Sequence, residues 1–117
     1  MQDNWNAYLK ALSPALRELR LGQPEVMKHF SGMAQAALAS NALDGKTKEL
    51  IALAISVATR CDDCIGFHAK AALERGATRE EIFETLGTAI YLGAGPAVMY
   101  AAHAIEAFDQ LSQPAAA

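Results

Sequence analysis

Cysteine is scarce in this chain of 117 residues, which contains only Cys61 and Cys64. Two cysteines cannot build the dense disulfide framework that stabilises many small secreted domains. Residues 1–5 (MQDNW) also lack the basic start and apolar run of a signal peptide. We therefore expect a cytoplasmic protein, where a closely spaced cysteine pair is typical of catalysis or metal binding rather than of structural cross-linking.

Positive charge is also limited. The chain has ten Lys and Arg residues and thirteen Asp and Glu residues, which give a net charge of −3. Without a basic cluster, the sequence gives no indication of nucleic-acid binding. Charged residues make up 20% of the chain and hydrophobic residues 52%. This balance is typical of a globular protein and excludes a disordered one.

Long apolar runs are rare, and only the twenty residues 86–105 carry no formal charge over the length of a bilayer span. Gly93-Ala94-Gly95-Pro96 interrupts this stretch, and such a sequence predicts a break between two helices. Alanine, which is only weakly apolar, supplies much of the remainder. We therefore predict two buried helices of a protein that does not insert into the membrane.

Sustained two-residue alternation is absent, whereas alanine is abundant, so helices are predicted throughout. Ser13-Pro14 predicts the start of a helix that ends near Leu21. The other predicted boundaries lie at Pro24, Asp44, Thr59, Arg75-Gly76, Thr78-Arg79-Glu80-Glu81 and Pro96. The sequence thus predicts one all-α domain over residues 1–117, with about six helices.

The second predicted helix carries apolar side chains at helical spacing, which predicts a face buried in the core. These side chains belong to Met27, Phe30, Met33, Ala34 and Ala37.

The motif Cys61-Asp62-Asp63-Cys64, followed by His68, is the part of the sequence that points to chemistry. Cysteines near a helix start meet unpaired N–H groups and the positive end of the helix dipole, which favour the reactive thiolate. The two aspartates oppose a nearby thiolate, and the sequence does not decide which effect is larger. His68 lies four residues after Cys64 on the same helical face, where an imidazole can accept the thiol proton.

Two other interpretations of the motif stay open. Both thiols could be inert core residues, since unpaired cysteine is often buried. Cys61, Cys64 and His68 could also bind zinc, although a structural zinc site needs a fourth ligand and no second pair follows at the usual spacing. His103 could reach the thiols from the last helix or could be a hydrogen-bonded core residue, and no role is assigned to His29.

Glu49 is the other candidate residue, because it lies near the start of a helix that is apolar nearly all round. Its carboxylate could simply be solvated at the helix start. Alternatively, it could point towards the thiols as a member of a proton relay.

Glu49, eleven intervening residues and then Cys61-Asp62-Asp63-Cys64-Ile65-Gly66-Phe67-His68 resemble the signature of the carboxymuconolactone decarboxylase family, in its AhpD-like alkylhydroperoxidase branch. The segment 69–82 is similar to the family's continuation, and the resemblance covers about residues 15 to 110. It implies an all-α fold that forms homo-oligomers, often trimers or hexamers, with the thiol site near subunit contacts.

The resemblance also implies roles for the candidate residues. Cys64 matches the cysteine that attacks a peroxide and becomes a sulfenic acid, and Cys61 matches the partner that condenses with it to a disulfide. His68 and Glu49 match the proton relay. The implied partners are a peroxide or disulfide substrate and an external dithiol, with no metal or organic cofactor.

Asp63 departs from the branch's pattern, which has a histidine just before the second cysteine. An acid there removes a relay member and adds a charge that opposes the thiolate. The principal hypothesis is a thiol-dependent peroxidase or disulfide reductase. Two alternatives remain, namely a non-catalytic redox-sensing oligomer and a lactone decarboxylase like the family's namesake.

Overall fold

The computed structural model describes residues 4–113, which form five helices and no strand. The helices are α1 (Trp5–Gly22), α2 (Pro24–Leu38), α3 (Gly45–Ala58), α4 (Asp62–Glu74) and α5 (Arg79–Leu111). Helices α3, α4 and α5 pack on one another, and α1 contacts both α4 and α5. The predicted all-α architecture is confirmed, with α4 held between two other helices.

The helix boundaries around α4 follow the local signals in the sequence. Asp44 caps α3, because its carboxylate accepts the Thr47 N–H at 2.8 Å. Gly76 ends α4 with φ 86°, a left-handed conformation in which a Cβ would be unfavourable. Thr78 and Glu81 then form the predicted capping box of α5. These short-range signals set the positions at which α3, α4 and α5 begin and end.

The predicted start of the first helix at Ser13-Pro14 is wrong, because α1 already begins at Trp5 and contains Pro14 in its interior. An interior proline removes a backbone hydrogen bond and costs about 3 kcal/mol. Trp5 and Leu9 are buried against the helical body, and burial of a large apolar side chain stabilises by roughly 1.5–3 kcal/mol. Their tertiary contacts therefore offset the cost of the proline.

The apolar face predicted for the second helix exists, but the prediction that this face is buried in the core is wrong for the protomer. Pro24 starts α2 as predicted, yet no residue of α2 is buried, and Phe30 and Met33 are 57% and 61% exposed. The reason is that α2 contacts only α1 and α3. Phe30 and Met33 consequently face away from the core.

The predicted break in the uncharged stretch is confirmed within α5. Ala94 has φ 56° and ψ −143°, so the helix axis changes direction there. A Cβ on Gly93 would lie 2.7 Å from the Ala97 Cβ, which explains why the turn needs glycine at that position. By length and composition α5 could cross a bilayer, the one described helix of which this is true.

Burial of α5 is confined to one face, so the prediction of two buried helices holds in the protomer only for that face. Ala97, Ala101 and Ala104 lie in the core, whereas Tyr91 and Leu92 are strongly exposed.

Candidate active site

The turn between α3 and α4 places the first cysteine. Arg60 adopts a left-handed conformation with φ 60° just after the end of α3. The Arg60 N–H donates to the Val57 carbonyl, and the Cys61 N–H donates to the Ser56 carbonyl at 3.1 Å. This pattern is a Schellman motif, which reverses the chain within three residues and leads directly into α4. Cys61 is thereby fixed by the end of one helix and the start of the next.

The two cysteines form a disulfide at the N-terminus of α4. Cys61 is the N-cap, and its Sγ accepts the backbone N–H of Cys64 at 3.2 Å. Amide groups at a helix start favour negative charge, so this position suits a thiolate once the disulfide is reduced. Both cysteines are partly exposed in the protomer. Neither cysteine belongs to the buried core, so the interpretation as inert core thiols does not fit their placement.

Glu49 and His68 form a carboxylate–histidine pair between α3 and α4. The Nδ1 of His68 lies 2.7 Å from Oε2 of Glu49, and Glu49 is only 6% exposed. The expectation of a solvated carboxylate at the helix start is therefore wrong. An ionised carboxylate only accepts hydrogen bonds, so Nδ1 donates and Nε2 remains as the basic nitrogen.

The spacing of Cys64 and His68 places the histidine one helical turn beyond the second cysteine, on the same face of α4. Among the hydrogen bonds of the described residues, none joins His68 to a sulfur in this disulfide form. A disulfide sulfur carries neither a thiol proton nor a thiolate charge, so it offers an imidazole little to bind.

Each aspartate of the motif is engaged by a side chain from another helix. Asp62 Oδ1 lies 2.7 Å from Nδ1 of His103 on α5. Asp63 accepts a hydrogen bond from the hydroxyl of Tyr8 on α1. Partners that donate to these carboxylates reduce the negative charge presented to the sulfurs. The opposition of the aspartates to a thiolate is therefore weaker than the sequence alone indicates.

Tyr8 is the hydrogen-bond partner of Asp63, the residue at which the motif departs from the branch's pattern. Its hydrogen bond to the Asp63 carboxylate raises the pKa of the Tyr8 hydroxyl to about 12, with a smaller contribution from burial. The phenol thus stays protonated at physiological pH and cannot serve as a base. Tyr8 holds Asp63 and α1 in place beside the cysteines.

The zinc interpretation receives no support from the arrangement of side chains. Within residues 4–113, no group of three or more His, Cys, Asp or Glu side chains has a geometry that could hold a metal ion.

Sequence reasoning named Cys61, Cys64, His68 and Glu49, and the structure gathers them around the start of α4 and the facing side of α3. The role of His103 was left open, and in the structure its Nδ1 contacts Asp62. Sequence reasoning missed Tyr8, since no local signal marks a tyrosine 55 residues away as a partner of the motif.

Comparison with known proteins identifies the family. The profile of the carboxymuconolactone decarboxylase family matches residues 24–107. A protein of Cupriavidus necator is 44% identical over 90 residues, which make up 77% of this chain and 80% of that protein. A protein of Haemophilus influenzae is 39% identical over 109 residues, which make up 93% and 96% of the respective chains.

Solved structures agree with the family match. A carboxymuconolactone decarboxylase family protein of Legionella pneumophila has a TM-score of 0.92 at 49% identity, covering 96% of this chain and 100% of that chain. A family protein of Thermotoga maritima, for which involvement in an antioxidative response has been suggested, has a TM-score of 0.76 at 34% identity, covering 86% and 89%. The chain belongs to the carboxymuconolactone decarboxylase family, and its cysteine motif is consistent with the AhpD-like branch.

Proposed function

We propose that this protein is a thiol-dependent reductase of alkyl hydroperoxides or disulfides. One observation carries the proposal: a disulfide between two partly exposed cysteines starts α4, and on α4 and the neighbouring α3 the partly exposed His68 is hydrogen-bonded to the buried Glu49. Partly exposed cysteines beside a histidine and a helix N-terminus are the setting in which thiols become reactive. A pair that closes to a disulfide can then return to the reduced state by exchange.

The proposed reduction of a hydroperoxide uses four thiols, two from the protein and two from an external dithiol. The Cys64 thiolate attacks the terminal peroxide oxygen, the O–O bond breaks, and the alkoxide leaves as an alcohol after protonation. Cys64 is then a sulfenic acid, which the Cys61 thiol attacks to form the disulfide and release water. An external dithiol reduces this disulfide and becomes a disulfide itself. The cycle needs no metal or organic cofactor.

The Glu49–His68 pair supplies the proton transfers on the Cys64 side. Nε2 of His68 takes the thiol proton, and Glu49 stabilises the imidazolium that results because its carboxylate faces Nδ1. The same imidazolium returns the proton to the departing alkoxide. Burial of Glu49 strengthens this electrostatic effect, because the surrounding medium screens the charge less than water does.

Family membership adds support, and so does the antioxidative role suggested for the relative from Thermotoga maritima. We place the protein in the cytoplasm, because a cysteine pair that must be reduced in every cycle works where dithiols are kept reduced.

A turnover assay tests the proposal directly. Reduced protein is mixed with cumene hydroperoxide and excess dithiothreitol, and peroxide loss is followed over time. We expect many equivalents of peroxide to be consumed per protein, above the rate of a sample whose thiols were alkylated beforehand. Consumption of one equivalent only would instead identify a redox sensor. Thiols that fail to react with both the peroxide and a disulfide reagent would refute the redox function altogether.

We further propose that the protein is a homo-oligomer, a trimer or hexamer, in which copies of the chain cover the exposed face of α2. Val26, Phe30 and Met33 share one face of α2 and are each more than half exposed in the protomer. Contiguous exposed apolar side chains of this kind mark interaction sites.

Introduction of a charge into this face is expected to dissociate the oligomer. Phe30→Glu would bury a carboxylate without a partner, which costs several kcal/mol per interface. Light scattering coupled to size exclusion measures the mass. Gln35→Glu, which places the same charge on the opposite side of α2, is the matched control and should leave the mass unchanged. A wild-type protein that elutes as a monomer would contradict the proposed assembly.

A further inference from the structure

A second carboxylate–histidine pair joins the cysteine motif to α5, whereas the first pair joins α3 to α4. His103 of α5 contacts Asp62 with its Nδ1 at 2.7 Å, and Asp62 directly follows Cys61 in the chain. The side chains of His103 and Asp62 are 18% and 24% exposed. The pair is therefore partly shielded but still accessible, like the cysteines themselves.

The hydrogen-bonding roles within this pair follow from the chemistry of its two groups. The Asp62 carboxylate only accepts hydrogen bonds, so Nδ1 of His103 donates and Nε2 is the basic nitrogen. The ring of Tyr100 lies against that of His103, with 4.9 Å between centroids, and limits its rotation. His103 thus has a fixed orientation and one nitrogen free for proton transfer, the same arrangement as His68 with Glu49.

The two pairs are divided between the two cysteines. His68 shares a helical face with Cys64, whereas His103 is held by the residue next to Cys61. The half-reactions of a disulfide cycle also divide between the cysteines, because one sulfur attacks the oxidant and the other exchanges with the reductant.

We propose that His103, oriented by Asp62, is the acid–base residue for Cys61 when an external dithiol reduces the disulfide. This inference rests on the proposed function, and it separates the two half-reactions between the two histidines. Asp62 is then a positioning residue, which acts on the chemistry through His103.

The proposed steps balance as follows. A thiolate of the dithiol attacks Cys61 Sγ, the Cys61–Cys64 bond breaks, and Cys64 leaves as a thiolate that is then protonated. The second thiol of the dithiol gives its proton to Nε2 of His103 and attacks the reductant's sulfur in the mixed disulfide. Cys61 leaves as a thiolate, stabilised by the Cys64 N–H, and receives the proton from His103. The protein gains two thiols, and the dithiol becomes a disulfide.

The test measures the two half-reactions separately. Oxidised protein is mixed with dithiothreitol and its thiols are trapped with a maleimide at successive times, and reduced protein is mixed with cumene hydroperoxide in a parallel series. In His103→Gln we expect reduction to slow about tenfold while oxidation is unchanged. The effect stays below the 10²–10⁴-fold of full acid–base catalysis because water can protonate part of the departing thiolate.

Two companion variants make the result decisive. Asp62→Asn, on the first residue of α4, should slow reduction in the same way, and imidazole added to His103→Ala should restore part of the rate. His29→Gln is the matched control, because His29 is an exposed histidine that faces Glu25 within α2. It should change neither half-reaction.

Equal reduction rates in wild type and His103→Gln would overturn the inference. An equal slowing of both half-reactions without imidazole rescue would also overturn it, since that result indicates a residue that only ties α5 to α4. Failure of the proposed function is recognisable separately, because the thiols of the reduced wild-type protein would then react with neither the hydroperoxide nor a disulfide reagent.

Discussion

Cys64→Ser is expected to abolish turnover of hydroperoxide. Serine lacks a thiolate at physiological pH and therefore cannot attack the O–O bond, even with His68 beside it. The start of α4 should be preserved, because the substitution leaves the N-cap Cys61 unchanged. The Sγ of Cys61 can still accept the backbone N–H of residue 64. The coupled assay with dithiothreitol should show no peroxide loss beyond that of alkylated wild-type protein, while circular dichroism shows unchanged helix content.

Cys61→Ser provides the contrast that assigns the two sulfurs. This variant should still consume about one equivalent of peroxide, because Cys64 is oxidised to a sulfenic acid that has no partner thiol. Mass spectrometry after labelling with dimedone should find the adduct on Cys64. If the adduct forms on Cys61 in the Cys64→Ser protein instead, the roles of the two cysteines are the reverse of those proposed.

Glu49→Gln is expected to lower the rate of peroxide attack by about 10²–10³-fold, within the range of general acid–base catalysis. Glutamine keeps the size of the side chain and an oxygen that can accept from Nδ1 of His68, so the pair should remain in contact. The substitution removes the buried negative charge that stabilises the imidazolium. Rapid mixing of reduced protein with varied cumene hydroperoxide should show a lower limiting rate with little change in the half-saturating concentration.

The matched control for this substitution is Glu25→Gln. Like Glu49, Glu25 faces a histidine, which is His29 on the same helix. The Oε2 of Glu25 lies 3.9 Å from Nε2 of His29, and both side chains are exposed. Its loss should leave the rate of peroxide attack as in wild type. A Glu49→Gln protein that reacts at the wild-type rate would remove Glu49 from the relay and leave its burial without a functional explanation.

The parts of the site that could be predicted from the sequence are those set by short-range geometry. The capping box of α5 and the helix-ending Gly76 depend on residues within one turn. The spacing of Cys61, Cys64 and His68 on one helix is likewise local. Glu49 was a candidate from the sequence alone, and the resemblance to a family matched it to the proton relay, but its hydrogen bond to His68 joins two helices.

The parts that could not be predicted depend on how the helices pack. Tyr8 and His103 reach the motif from positions 55 and 41 residues away in the chain. Pro14 reads as a helix start, and only the burial of Trp5 and Leu9 shows that the helix begins earlier. The apolar face of α2 is visible in the sequence, but periodicity does not distinguish a face that meets the protomer's core from one that is left outside it.

Trp5, the single tryptophan of the chain, gives the protein a natural optical reporter. Its indole is fully buried, donates to Glu106 at 2.9 Å, and lies so close to Gly66 that a Cβ there would be 3.2 Å from the ring. Disulfides quench nearby excited indoles, and Gly66 is only two residues from Cys64. The emission of one buried ring should therefore follow the opening and closing of the disulfide in real time, with no added dye.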